Sequence, residues 1–134
     1  MLVDSSVWID FLRGNGTPQT TFLKRTLERG DALWLAAPIL QEVLQGADSS
    51  ERFDKWDRIL GELPMVEDGD LRSLTRQAAK LYAKCRWRGF TPRSANDCLI
   101  ATYAVRHELP LLHRDRDFDH IAIIEPRLQA LQVG

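Results

Sequence analysis

Cysteine is scarce in this chain: Cys85 and Cys98 are its only two. They have neither C-x-x-C spacing nor a nearby histidine, which excludes a zinc site or a redox pair and leaves two buried thiols as the expectation. No apolar run approaches the roughly 20 residues needed to span a bilayer. The first residues carry neither a basic stretch nor a cleavage site, so a cytoplasmic protein without membrane contact is expected. An excess of charge is also missing, and a net charge of −1 excludes coating of nucleic acid by bulk electrostatics. No glycine-rich loop follows Val3, which excludes P-loop and Rossmann nucleotide sites. Internal repeats, linkers and low-complexity stretches are lacking too.

What is present is an ordinary globular composition, 44% hydrophobic and 28% charged. At 134 residues, a single domain over residues 1–134 is expected, burying about two-thirds of the surface its unfolded chain exposes.

The apolar pattern alternates between strand and helix. Met1 to Val3 predicts a buried strand ending at Asp4, and Val7, Trp8, Phe11 and Leu12 follow at helical spacing up to Gly14. Thr20 to Arg29 predicts a surface helix, Ala32 to Ala36 a second strand, and Pro38 to Gln45 a helix ended by Gly46. A polar helix spans Glu51 to Leu60, with Leu63 to Val66 a third strand. Leu71, Leu74, Ala78, Leu81 and Tyr82 define an amphipathic helix over Asp70 to Arg86. Ser94 to His107 is apolar around most of its circumference, which predicts a buried helix, and strands are expected at Leu109 to Leu112 and Ile121 to Ile124. Such alternation implies a three-layer α/β fold, a central parallel sheet flanked by helices with right-handed crossovers.

In open parallel sheets the ligand crevice lies at the carboxyl ends of the strands. Asp4 is expected there, and so are Asp115 and Asp117 in the run His113-Arg114-Asp115-Arg116-Asp117. Each acid also has a plain structural explanation. Asp4 is a good helix N-cap. Asp97, in Ser94-Ala95-Asn96-Asp97, suits a capping box and the helix dipole. Asp115 and Asp117 fit a charged loop. Glu42 lies at the boundary of its helix, between the apolar face of Ile39, Leu40, Val43 and Leu44 and the polar face of Gln41 and Gln45. Beside Gly46 it can lean toward the protein body.

The set changes the reading, because four separate segments deliver acids to one edge of the expected sheet. Carboxylates about 4 Å apart repel by about 1 to 4 kcal/mol per pair at effective dielectrics of 80 to 20. A divalent cation offsets that cost. Oxygen ligands suit Mg²⁺ or Mn²⁺, which leave coordination positions for water and a substrate phosphate. Asp4, Asp97 and Asp115 are the candidate ligands, and Glu42 or Asp117 a candidate for orienting the attacking water. Ser6 has a hydroxyl that can hold Asp4. A further segment, Lys84 to Arg93, is basic and free of acids: Lys84, Arg86, Arg88 and Arg93 surround Trp87 and Phe90. Phosphate contacts with a stacking platform for an unpaired base fit it, as do a solvated helix end or a partner surface.

Four segments resemble VapC-type PIN domains: Leu2-Val3-Asp4-Ser5-Ser6-Val7-Trp8-Ile9, Pro38-Ile39-Leu40-Gln41-Glu42-Val43-Leu44-Gln45-Gly46, Asn96-Asp97-Cys98-Leu99-Ile100-Ala101 and Leu111-Leu112-His113-Arg114-Asp115-Arg116-Asp117-Phe118. They occur in the family's order and spacing. The resemblance implies a PIN fold, a homodimer, RNA cleavage with Mg²⁺ or Mn²⁺, and neutralisation by a small VapB-type antitoxin. It carries catalytic roles onto Asp4, Glu42 and Asp97, with Asp115 or Asp117 as the fourth acid. The rival readings are a PIN-like module that only binds a protein partner, which would have lost an acid, and a receiver domain, which would need an acid pair after the first strand.

Overall fold

The N–H of Leu2 donates to the carbonyl of Pro110 at 2.8 Å, and that of Asp4 to the carbonyl of Leu112 at 2.9 Å. Two segments more than a hundred residues apart are thereby laid side by side, in parallel. The computed structural model, which describes residues 1–133, runs β1 (Leu2–Val3), α1 (Ser5–Leu12), α2 (Pro18–Arg29), α3 (Ala37–Gln45), α4 (Ser50–Leu60), α5 (Leu71–Trp87), α6 (Ala95–Arg106), β2 (Leu111–Leu112), α7 (Arg116–Ile124) and β3 (Ala130–Leu131).

The three strands pair in parallel in the order β1-β2-β3, with Leu2 opposite Leu111 and Leu111 opposite Ala130. On the free side of β1 the parallel pattern continues through single bridges, Leu2 to Trp34 and Leu35 to Met65. The expected strands at residues 32–36 and 63–66 are thus present as one-bridge extensions of the sheet. Leu2, Val3, Leu111 and Leu112 are wholly buried, as strands of a parallel sheet covered on both faces must be. The result is the three-layer α/β arrangement that the alternation of elements predicts.

One expected element is overturned. Ile121 to Ile124 is not the last strand but the end of α7, and the last strand is Ala130–Leu131. A short apolar run carries no periodicity that separates strand from helix. The decision comes from upstream: Asp115 accepts a hydrogen bond from the N–H of Asp117 at 2.9 Å and starts a helix, which buries Phe118 and Ile121 at i, i+3 and leaves Ile123 70% exposed.

The other helices follow their sequence signals. Thr17 and Thr20 form a reciprocal capping box on α2, and Asp70 caps α5 through the N–H of Ser73. Gly46 ends α3 and packs beside Ile9 of α1. At the far end of α6, Arg106 grips Asp68 with two hydrogen bonds of 2.7 and 2.8 Å, and His107 Nε2 lies 2.9 Å from the same carboxylate. Cys85 and Cys98 are both buried free thiols, as expected. Burial pushes the Cys98 thiol up to about 12, leaving it protonated and inert. Among the described residues, no helix is long and apolar enough to cross a membrane.

Candidate metal centre

Asp4 follows β1 directly and caps α1. Its Oδ2 accepts from the Ser6 N–H at 3.3 Å and from the Ser6 hydroxyl at 2.6 Å. The side chain is almost entirely buried, and burial is the main reason its carboxyl holds a proton more tightly than usual; the Ser6 bonds oppose that effect and the nearby Asp115 adds to it. Glu42 leans inward from α3, half-buried, while Gln41 and Gln45 are exposed. Its Oε1 accepts from the Ser5 hydroxyl at 3.4 Å. Burial, then the charge of Asp4, raises its proton affinity as well.

Asp97 lies in the first turn of α6 and is 7% exposed. The capping box suggested by the sequence does not form: the Ser94 hydroxyl takes the N–H of Asn96 at 3.2 Å, and the Asp97 carboxylate has no hydrogen bond to a described residue. It is aimed instead at other acids. Burial first, then the charges of Asp4, Asp115, Asp117 and Glu42, push its carboxyl up to about 7.

Asp115 caps α7 and Asp117 lies in its first turn. Arg93 spans the two: its guanidinium donates to Asp115 Oδ1 at 2.9 Å, and its backbone N–H to Asp117 Oδ2 at 3.0 Å. Behind them, buried His113 accepts the N–H of Asp115 at Nδ1, 3.2 Å away. An acceptor at Nδ1 puts the ring proton on Nε2, which lies 3.4 Å from Asp119 Oδ1.

One carboxylate oxygen from each of Asp97, Asp115 and Asp117 falls within 4.8 Å of the other two. Asp4 and Glu42 stand outside that triad yet close enough to raise the proton affinity of Asp97. The donors are hard oxygens, and the one cation paired with the triad among the described residues, Arg93, has a side chain 77% exposed. That combination, converging oxygens with excess negative charge, fits a hard divalent cation and not a soft metal.

The geometry therefore gathers Asp4, Glu42, Asp97, Asp115 and Asp117 at one edge of the sheet, and brings both Asp115 and Asp117 to Asp97. Of the basic segment, only Arg93 reaches the acids. Lys84, Arg86 and Arg88 are exposed at the end of α5, and Trp87 is 71% exposed beside them. Sequence reasoning missed Ser5, the clamp made by Arg93, and His113 as the residue fixing the backbone of Asp115. The available signals were a histidine directly after a strand and an arginine two residues before an acidic helix start.

The model of the PIN domain family matches residues 1–124. Over 125 residues the chain is 37% identical to the VapC ribonuclease Mb1587 of Mycobacterium bovis and to ribonuclease VapC11 of Mycobacterium tuberculosis, covering 92% of each protein and of itself. The chain is a VapC-type member of the PIN-domain family. In fold, this PIN domain matches the crystal structure of VapBC2 from Rickettsia felis bound to a DNA fragment of its promoter, with a TM-score of 0.73 over 95% of this chain and 93% of that one, at 17% identity.

Proposed function

We propose that this PIN domain is an endoribonuclease dependent on Mg²⁺ or Mn²⁺, and the toxin of a VapBC-like toxin–antitoxin pair. The carrying observation is geometric: one carboxylate oxygen from each of Asp97, Asp115 and Asp117 lies within 4.8 Å of the other two, a cluster whose repulsion a divalent cation offsets. The mycobacterial relatives are named ribonucleases, and a cluster of carboxylates suits hydrolysis by activated water.

Asp97, Asp115 and Asp117 would hold the ion, with Asp4 beside them as a further ligand. Such an ion supplies polarisation of a phosphoryl oxygen and lowers the pKa of its water from about 15.7 toward neutrality. The chain's own residues do the rest. Ser6 favours the charged form of Asp4 against the effect of burial and holds its Oδ2 through two hydrogen bonds. Glu42, held by Ser5 at the rim, is the candidate for orienting the attacking water and taking its proton. Arg93 fixes the spacing of Asp115 and Asp117. Lys84, Arg86 and Arg88 offer phosphate contacts and Trp87 a stacking face for an unpaired base.

The working form is a cytoplasmic homodimer, with residues 1–134 acting as one domain. A VapB-type antitoxin is the proposed partner, supported by the assembled VapBC2 neighbour. The test is cleavage of total RNA by purified protein with Mg²⁺, with excess chelator, and as Asp97→Asn. The reading expects products in the first condition alone; full activity in chelator overturns the mechanism.

A further inference from the structure

A groove of about 520 Å³ lies outside the acidic centre, between α5 and the end of α7. Arg76, Lys80 and Lys84 line one wall, Ile124 and Arg127 the other. The three cations recur every fourth residue, and Arg88 extends the row by one more step, about 18 Å in all at 1.5 Å per residue. Like charges at this spacing destabilise a helix. None of the four makes an ion pair with a described residue, and the groove's one acid, Glu125, is bound to Arg127.

We infer that this groove is a track for the backbone of single-stranded RNA, carrying the substrate away from the acidic centre along α5. The inference rests on the nuclease reading and adds to it a second contact region, with Arg76 and Lys80 as residues that bind substrate. Three observations support a polymer over a compact anion. The cations are strung in a line instead of converging on one point. Ile124 borders both the groove and a hollow formed by Arg88, Phe90 and His120, and the chain beyond Arg88 leads to Arg93 at the acids. Trp87, 71% exposed with Lys80 Nζ 5.8 Å from its ring centroid, offers a base a stacking surface beside the row.

The test compares wild type with the double variant Arg76→Gln/Lys80→Gln, both positions being exposed, and with Lys24→Gln/Arg25→Gln on α2 as a control that removes equal charge elsewhere. Binding of a long mixed-sequence RNA and of a trinucleotide is followed by fluorescence anisotropy in chelator, as a function of salt. For the long RNA, losing two phosphate contacts should lower the slope of log affinity against log salt by about 1.4, with the control unchanged. Trinucleotide binding should not move, and with Mg²⁺ the variant should raise KM for long RNA while keeping kcat. An unchanged slope in an enzyme that cleaves RNA overturns the track and leaves the nuclease reading standing. A reduced slope in a protein that never cleaves RNA supports the track and removes the nuclease. A variant that keeps its RNA slope but loses an acidic protein partner overturns the track, because the groove then serves that partner.

Discussion

Arg93 donates twice to the same oxygen of Asp117, through its backbone N–H at 3.0 Å and its Nε at 3.5 Å. The first bond survives any substitution except proline, the second does not. Together with the 2.9 Å contact to Asp115, the guanidinium acts as a clamp on two acids that otherwise repel.

Arg93→Gln should consequently loosen the metal-free site without unfolding it. The arginine is largely exposed, so only a small loss of stability is expected in chelator and a smaller one in Mg²⁺, where the ion takes over the clamping. Urea melts in both conditions measure this. An equal loss in both would assign Arg93 to the surface and not to the acids.

Asp97→Asn should abolish cleavage and change how stability depends on pH. In the metal-free fold the carboxyl of Asp97 holds its proton up to about 7, against about 3.9 in the unfolded chain. Between those values the folded state binds more protons, so wild-type stability falls as pH rises from about 4 to about 7. The asparagine variant should lack that decline and be the more stable protein in chelator at neutral pH. Mg²⁺ at about 100 times its Kd should restore about 2.7 kcal/mol to wild type and less to the variant. Parallel pH curves for the two proteins would sink the reading of Asp97 as the centre of a repelling cluster.

Ser6→Ala removes the 2.6 Å bond that helps keep Asp4 ionised. Activity that needs the Asp4 carboxylate should then be lost at a higher pH than in wild type. The acidic limb of the pH–rate profile, at saturating Mg²⁺, is expected to move upward while the plateau falls modestly. A fall with no movement of the limb would make Ser6 a helix-start residue and nothing more.

Asp68 provides a contrast at the opposite edge of the fold. The Arg106 guanidinium, helped by the Asp70 backbone and His107, holds its carboxyl well below the usual carboxylate range. A depressed carboxyl stabilises the fold at pH values above about 3.9 and ceases to do so as pH falls through its folded value. Asp68→Asn should therefore melt earlier than wild type at pH 7, with the gap closing toward strongly acid pH, and should retain full RNA cleavage per folded molecule.

Much of the site is legible in the sequence because its acids occupy simple positions: Asp4 directly after a buried run, Asp97 in the first turn of an apolar helix, Asp115 and Asp117 just past Leu111 and Leu112. What is illegible depends on distances between segments. The choice between Asp115 and Asp117 has no answer along the chain, since both reach Asp97 once α7 folds. Arg93 looks like one more cation of a basic run until the loop from residues 88–94 turns it onto two carboxylates. The strands at Trp34 and Met65 are single bridges, too short to have a period, and Ile121 to Ile124 has the residues of a strand while its helical state is decided at Asp115.

Asp4 and Asp115 each start a helix with the same carboxylate that faces the cation site. Asparagine caps a helix about as well as aspartate, whereas alanine costs about 1 kcal/mol at such a position. The two substitutions thus ask different questions of this protein: asparagine silences the chemistry in an intact scaffold, while alanine also frays α1 or α7 and mixes folding with function. The same asymmetry gives a route by which a nuclease of this build becomes a purely binding protein, through changes at positions 4 and 115 that keep the caps and discard the charge.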